Sequence, residues 1–248
     1  GSLLAGKFIL DQLGVDCQLV LPEAVPEDFT FLPAAEEISE YTPDLAGDWG
    51  AVLVLDCSNG ERVGAVKELF AARPLINIDH HPDNNYFGDY NLVKEAAATV
   101  QILYGLLAEL EDVELTEELA QVLAAGLITD TGSFSYSNAT PAAHRMMADL
   151  IEAGADSAYL NRRIMGTNSY PALMLRGLFL ENLKVDPEGQ VAWGTVTQQM
   201  LNEVEATRDD TEGLVGYPRS LKGVEVGVLF KEREAGGIKV SLRSNSYL

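Results

Sequence analysis

The sequence predicts an α/β fold, with a mostly parallel sheet that has helices on both faces, and a smaller α/β second domain with a mixed sheet. The continuous apolar segment 51–55 is typical of a central parallel strand that is buried on both faces, and the mainly apolar segment 74–78 indicates a second short buried strand. A short helical segment, 64–72, joins them into a strand–helix–strand unit. After residue 184 the chain alternates between short strands and turns, which indicates a second domain.

Apolar periodicity and turn residues predict the remaining elements. Thr116 and Thr140 are expected to be N-caps, because each precedes a segment with helical spacing. Segment 161–183 is amphipathic and is interrupted at Pro171. The predicted domains are 1–160, a helical connector 161–184 and 185–248. Helices are predicted over 3–13, 34–40, 95–109, 117–128 and 141–153, and further strands over 15–21, 191–196, 224–231 and 237–243.

Charge and composition restrict the function. The chain has 248 residues, of which 17 are Lys or Arg and 38 are Asp or Glu, so its formal net charge is −21. Such a charge disfavours a protein that binds long nucleic acid through its phosphates, but it is compatible with a short anionic substrate. No apolar stretch is long enough to span a bilayer, so no membrane contact is expected. The two cysteines, Cys17 and Cys57, are too few for a disulfide framework and predict a reducing cytoplasm.

Carboxylates and imidazoles end the two predicted parallel strands. Asp56 follows the first strand, and Asp79, His80 and His81 follow the second. Because the carboxyl ends of parallel strands meet at the edge of the sheet where ligands bind, these side chains are expected to lie together. Imidazole suits Mn, Fe and Zn, and carboxylate suits the harder of these ions. The pattern therefore favours a metal site over a polar turn with incidental histidines.

A third carboxylate, Asp130, lies between two threonines at the end of an apolar helical segment. On its own it is equally compatible with a capping or turn residue. The third histidine, His144, has no ligand-type neighbour one helical turn away. We therefore expect His144 to be a structural or surface residue.

Three motifs, in order, resemble those of the DHH phosphoesterase family: Asp56, the triplet 79–81, and the segment 129–134 (Thr-Asp-Thr-Gly-Ser-Phe). Segments 223–230 and 241–244 resemble the DHH-associated substrate domain of the same family. The resemblance covers nearly the whole chain. It is strongest to the small bacterial members that degrade very short oligoribonucleotides and dephosphorylate pAp.

The resemblance implies a centre of two Mn²⁺ ions, with Mg²⁺ or Co²⁺ as substitutes. Asp56 would bridge the two ions, while His80 and Asp130 would bind one of them. Asp79 would orient the cluster from behind the ligands. His81 would face the scissile phosphate, where it would stabilise charge or protonate the leaving oxygen.

The implied substrates are oligoribonucleotides of two to five nucleotides, pAp and dinucleotides. Arg243 and Ser244 of the second domain would contact a substrate phosphate, since Arg forms bidentate hydrogen bonds to phosphate. Phe134 and Tyr136 are two residues apart, so on an extended segment both would face the substrate and stack on a base. Core packing is the more common role for such aromatic residues.

Family members also carry an upstream motif with a His and two Asp, and a downstream glycine-rich loop with a His. The sequence from Gly1 to Leu248 contains neither, so we expect this chain to bind metal weakly and to turn over little.

Several alternatives remain open at this stage: a cyclic or linear dinucleotide hydrolase, an inorganic pyrophosphatase, a long-strand exonuclease, and a non-catalytic nucleotide-sensing module. The acidic charge weighs against the exonuclease. The few, scattered lysines Lys222, Lys231 and Lys239 weigh against the pyrophosphatase. A homodimer stays open.

Overall fold

The computed structural model describes residues 1–45, 47, 49–71 and 73–246, and the chain separates into two compact units after Thr167. The helices of the first unit are α1 (Ser2–Gln12), α2 (Thr99–Leu106), α3 (Glu117–Asp130), α4 (Pro141–Glu152) and α5 (Ser157–Met165). Its strands are β1 (Leu19–Leu21), β2 (Ile38–Glu40), β3 (Val52–Leu55), β4 (Leu75–Asp79) and β5 (Tyr90–Val93). Two parallel pairings join three of these strands in the order β3-β4-β5, and a separate parallel pair joins β1 to β2.

Helix α3 lies at the centre of the first core. Its side chains at Leu119, Val122, Leu123 and Leu127 have no exposed surface. The Thr116 hydroxyl accepts a hydrogen bond from the backbone N–H of Leu119, as expected of an N-cap. Burial of this apolar face fixes the position of the last residue of the helix, which matters for the site below.

An apolar cavity of about 540 Å³ lies between the two parallel sheets of the first unit. Leu19 and Leu21 of β1 and Val52 and Leu53 of β3 are among its lining residues. Among the described residues β1 and β3 both line this cavity and belong to different sheets, so the predicted parallel sheet is present as two sheets rather than one. The predicted fold class is nevertheless confirmed, with parallel strands and helices in the first unit and a mixed sheet in the second.

Several predicted elements of the first unit differ from the structure. The predicted helix 34–40 is one 3-10 turn, Ala35–Glu37, followed by β2. The predicted helix 64–72 is an irregular 3-10 segment, Gly60–Phe70, which is broken at Gly64, where φ is +59°. Strand β5 was not predicted, because an edge strand with an exposed tyrosine and a polar Asn lacks the apolar run of a buried strand.

The second unit has helix α6 (Tyr170–Glu181) packed on a four-stranded mixed sheet in the order β6-β7-β8-β9. Pro171 lies in the first turn of α6, with Ser169 as the N-cap. Pro171 therefore begins a helix instead of interrupting one. The backbone N–H groups of the first helical turn have no carbonyl partner within the helix, so the absence of this group in proline costs nothing there. The other elements are β6 (Lys184–Val185), β7 (Val191–Val196), α7 (Gln198–Glu203), α8 (Gly216–Ser220), β8 (Val226–Glu232) and β9 (Ile238–Ser244).

The core of the second unit forms between α6 and the sheet. Phe179 of α6 and Val196 of β7 are fully or almost fully buried there, together with Leu229 of β8. In the part of the chain that the structure describes, no helix is long and apolar enough to cross a bilayer.

The contact between Gly194 and Phe179 gives a test of this packing. A Cβ atom at Gly194 would lie 2.6 Å from Cζ of Phe179 and would overlap the ring. We expect Gly194→Ala to lower the free energy of unfolding by about 1–3 kcal/mol in urea denaturation, because the buried ring has no space to move into. Gly177→Ala is the control, since Gly177 lies in the same α6 with nothing within 4 Å of the added atom. It should stabilise the protein by up to about 1 kcal/mol. Equal stability of the two variants would contradict this packing.

Candidate metal centre

The carboxylate of Asp56 lies directly after the end of β3. Its backbone N–H donates to the carbonyl of Ile78 at 3.0 Å, which continues the ladder between β3 and β4. Its φ is +64°, in the left-handed region that Asp tolerates better than most residues. The Thr99 hydroxyl donates to Asp56 Oδ1 at 2.7 Å. The strand end and Thr99 together fix this carboxylate.

His80 is oriented by a main-chain carbonyl. Its Nδ1 lies 3.1 Å from the carbonyl oxygen of Ala96. Because that oxygen can only accept a hydrogen bond, Nδ1 carries a hydrogen, and Nε2 is the ring atom that offers a lone pair in the neutral form. Nε2 is 3.6 Å from Asp56 Oδ1 and 3.6 Å from Asp130 Oδ2. Nε2 of His80 is therefore directed at two carboxylates.

Asp130 is the last residue of α3, so the helix extends two residues beyond its predicted end at 128. The side-chain amide of Asn138 donates to the backbone oxygens of Asp130 and Ala97, which ties the helix end to the loop before α2. Burial, followed by the negative charge of Asp56, raises the pKa of the Asp130 carboxyl to about 6, while His80 opposes the shift. A pair of carboxylates that disfavours its own ionisation is a place where a cation is stabilising.

Asp79 has no exposed surface. His81 Nδ1 donates to its Oδ1 at 2.7 Å, and the Asn84 amide donates to its Oδ2 at 2.6 Å. Burial alone would raise the pKa of Asp79, but the hydrogen bonds from His81 and Asn84 outweigh burial and lower it. Asp79 is thus an ionised carboxylate that positions two neighbours and is not directed at the other acids.

His81 shares its Nδ1 hydrogen with Asp79, so its Nε2 is the ring atom left for an outside contact. Nδ1 also lies 3.9 Å from Asp56 Oδ1, and the two histidine rings are 4.6 Å apart between centroids, at an angle of 59°. His81 is therefore beside the cluster of Asp56, His80 and Asp130 but is held by a different acid.

Three residues that support the site were not predicted from the sequence: Asn77, Asn84 and Thr99. The Asn84 amide also donates to Asn77 Oδ1 at 2.9 Å, and the Asn77 amide donates to the carbonyl of Cys57 at 3.1 Å. A buried amide needs partners, so Asn77 inside an apolar strand was a usable signal for a polar network at this strand end. Asn84 and Thr99 have no comparable local signal.

The donor spacing fits a divalent cation. Within the described ranges, Asp56, His80 and His81 each offer a ligand atom within 4.8 Å of the others. Metal bonds of about 2.1 Å place neighbouring donors about 3.0 Å apart in octahedral and about 3.4 Å apart in tetrahedral geometry. The 3.6 Å separations of His80 Nε2 from Asp56 and Asp130 need only a small contraction. Carboxylate and imidazole also match the chemistry of such an ion.

Phe134 lies in a tight turn and not on an extended segment. Gly132, Ser133 and Phe134 all have positive φ, at 54°, 54° and 62°. The alternation that would place Phe134 and Tyr136 on one face is therefore absent, and that basis for joint stacking is wrong. The Phe134 ring stacks on His144 at 4.7 Å and packs against the core of the first unit.

Arg243 and Ser244 both lie on β9 in the second unit, opposite Gly227 and Val226 of β8. The Arg243 side chain is exposed, and its Nη1 donates to the carbonyl oxygen of Leu242. The Ser244 hydroxyl donates to the carbonyl of Ser246. Their role in substrate binding stays a prediction.

No family model matches the sequence. Comparison with known proteins finds several relatives that carry the same name. A protein of Streptococcus mutans, named a probable bifunctional oligoribonuclease and PAP phosphatase NrnA, is 31% identical over 79% of this chain and 62% of its own length. NrnA of Thermus thermophilus is 36% identical over 98% of this chain and 71% of its own length. NrnA of Bacillus subtilis is 27% identical over 94% and 77%. The chain thus spans less than two thirds of the first of these relatives.

A solved structure of an exopolyphosphatase-related protein from Bacteroides fragilis superimposes with a TM-score of 0.91, at 26% identity, over 99% of this chain and 75% of that one. The fold and the ordered motifs define the DHH class of phosphoesterases, and the resemblance seen in the sequence is confirmed. Within that class, the chain belongs to the NrnA family.

The Asn84 bonds give a test of the network behind the centre. Asn84→Ala leaves Asp79 Oδ2 and Asn77 Oδ1 without their donor, so it should cost about 1–3 kcal/mol of unfolding free energy in urea near neutral pH. The hydrogen bonds that lower the pKa of Asp79 stabilise the fold above the ordinary Asp pKa, and this stability is lost as the pH falls through the lowered pKa. The cost should therefore shrink as the pH falls below the ordinary Asp pKa of 3.8.

Asn85→Ala is the matched control for Asn84→Ala, because Asn85 is the adjacent, exposed asparagine. It should change stability by less than about 0.5 kcal/mol. An equal cost for the two variants, or a cost of Asn84→Ala that does not depend on pH, would contradict the network.

Proposed function

We propose that this protein is a metal-dependent phosphoric ester hydrolase that cleaves oligoribonucleotides of two to five nucleotides and removes the 3′-phosphate of pAp. The observation that carries the proposal is the convergence of His80 Nε2 with the carboxylates of Asp56 and Asp130 at 3.6 Å. The relatives named as bifunctional oligoribonuclease and PAP phosphatase support the substrate class. The net charge of −21 also favours short substrates over long nucleic acid.

The residue types support a centre of two Mn²⁺ ions. Asp56 would help to hold both ions, as the family resemblance implies, and its Oδ1 lies 3.6 Å from His80 Nε2. His80 and Asp130 are the proposed further ligands of one ion. When bound, such a pair of ions supplies an activated water and neutralises charge on the phosphate. Thr99 would hold Asp56 in place through its 2.7 Å hydrogen bond.

His81 is the proposed catalytic residue for the leaving oxygen. Asp79 holds its Nδ1 hydrogen, which fixes the ring and leaves Nε2 for contact with the substrate. From that atom a doubly protonated ring would donate a proton to the oxygen that leaves phosphorus, as a general acid. Asp79 is a positioning residue in this scheme, since its oxygens are occupied by His81 and Asn84.

Substrate contacts are proposed for Arg243, Ser244 and Phe134. Arg243 forms no salt bridge among the described residues, so its guanidinium has charge to offer a phosphate. Phe134 is the weakest of the three candidates, because His144 already stacks on its ring. The two free cysteines, Cys17 and Cys57, fit the proposed cytoplasmic location.

Activity of the full-length protein tests the proposal. With Mn²⁺, we expect it to release mononucleotides from pApA and phosphate from pAp, and to leave pyrophosphate intact. Asp56→Ala and His80→Ala should each lower kcat by about a thousandfold or more, because each removes a metal ligand. Asp83→Ala is the control and should keep full activity, since Asp83 is an exposed acid of the following turn.

The outcomes of this assay separate the functional classes. Loss of hydrolysis in both ligand variants, with activity kept in Asp83→Ala, is the predicted result. Nucleotide binding without any cleavage by the unaltered protein would contradict the proposal and favour a nucleotide-sensing module. Cleavage of pyrophosphate alone would favour a pyrophosphatase.

Calorimetric titration with Mn²⁺ tests the ligand set. Asp56→Ala and His80→Ala should each weaken binding, because each removes a proposed ligand. Below about pH 6 the affinity should fall, because the Asp130 carboxyl with its raised pKa must lose its proton to bind metal. An affinity that both variants and a lower pH leave unchanged would contradict this ligand set.

A further inference from the structure

A polar cavity of about 600 Å³ lies at one end of the sheet in the second unit. We call it the basic pocket, because Arg208, Lys231, Arg233 and Lys239 are among the residues that line it. A cavity of this volume matches those that hold small molecules in other proteins.

Lys231 and Lys239 face each other across β8 and β9, in direct register. Lys231 is also in register with Val196 of β7, which is a core residue. Residues in register share a face of a sheet, so the two lysines stand on the same face as Val196. Two lysines that appeared scattered in the sequence are thus neighbours in the fold.

The positive charges of the pocket lack acidic partners. Among the described residues, none of the four basic side chains lies within 4.0 Å of a carboxylate oxygen in an ion pair. Lys231 Nζ donates only to the hydroxyl of Thr211, at 3.1 Å. Acidic residues outnumber basic ones by 38 to 17 in this chain, so partners for Lys231 were abundant in the sequence and are not used.

Direct opposition of two lysines is unfavourable in a sheet. Burial, followed by the charges of Lys239 and Arg208, lowers the pKa of Lys231, and Glu212 only partly opposes these effects. An anion in the pocket would remove this repulsion. The two facing lysines do not stabilise the sheet by themselves, and their arrangement is that of an anion-binding site.

Acidic residues at the pocket restrict the kind of anion. Asp209, Glu212, Glu232 and Glu234 are also among the lining residues. The Glu232 carboxylate is occupied, because it accepts from the backbone N–H of Gln198 at 2.9 Å. With four acids and four bases the lining has no net positive charge to hold an extended polyanion, so the two facing lysines offer their charge to a compact anion.

We propose that the basic pocket binds a small oligophosphate through Lys231, Lys239 and Arg208. No residue that lines the pocket within the described ranges is aromatic, so the phosphates and not a base are recognised. The site is separate from Arg243, which lies four residues further along β9, or about 13 Å at the usual rise of a strand. It is also independent of the hydrolytic function proposed above.

Calorimetric titration of the full-length protein with pyrophosphate, in EDTA and low salt, tests this proposal. EDTA removes divalent ions, so a metal centre does not contribute to binding. We expect saturable binding of one pyrophosphate per chain. Lys231→Met and Lys239→Gln should each weaken it about tenfold or more, because each removes a charged hydrogen bond. Lys222→Gln should leave the affinity unchanged, since Lys222 is exposed and outside the pocket.

A parallel titration with ATP separates the two sources of an oligophosphate. Affinities for ATP and pyrophosphate should be comparable and should respond to the same two variants. Absence of saturable binding at millimolar pyrophosphate, or binding that Lys231→Met and Lys239→Gln leave unchanged, would overturn the proposal. Binding of ATP alone would overturn it as well, because a base would then be required. Lys239 is exposed, so Lys239→Gln keeps the test valid if Lys231→Met fails to fold.

Discussion

Removal of a carboxylate from water is costly unless hydrogen bonds replace the water, and this constraint on Asp79 organises the centre. Asp79 is fully buried at the end of β4, and His81 and Asn84 satisfy its two oxygens. The bond to His81 assigns the Nδ1 hydrogen and fixes the ring. As a result the two adjacent histidines have different partners, since His80 is oriented by the Ala96 carbonyl instead. Asp79 thus holds the proposed catalytic histidine, His81, and leaves the proposed metal ligand, His80, to a different partner.

The acids in front of Asp79 are arranged in the opposite way. Asp56 and Asp130 come from a strand end and a helix end, and both lie 3.6 Å from His80 Nε2. Burial and mutual repulsion raise the pKa of Asp130 to about 6, so this pair is unfavourable without a cation. A divalent ion would neutralise the repulsion between the two carboxylates, which favours its binding. Stability and metal affinity are therefore coupled at the same atoms.

Local patterns were sufficient to predict that Asp56, His80 and His81 lie close together. Strand ends and residue type identify Asp56 and the triplet 79–81 because parallel strands deliver their carboxyl ends to one edge. Thr99 lies 43 residues from Asp56, and its contact depends on the packing of α2, which no local pattern reports. The left-handed turn at 132–134 was also missed, since it includes a serine and a phenylalanine that rarely adopt positive φ. Long-range packing and unusual backbone therefore set the limit of the prediction.

Diffraction at the manganese absorption edge, from crystals of the full-length protein grown with Mn²⁺, tests the central claim most directly. The anomalous map locates the ions without reference to activity. We predict a peak within about 2.3 Å of Asp56 Oδ1 and His80 Nε2, with His81 Nδ1 still bonded to Asp79. A manganese peak on His81 Nδ1, or no peak beside Asp56 and His80, would contradict the division of roles between the two histidines.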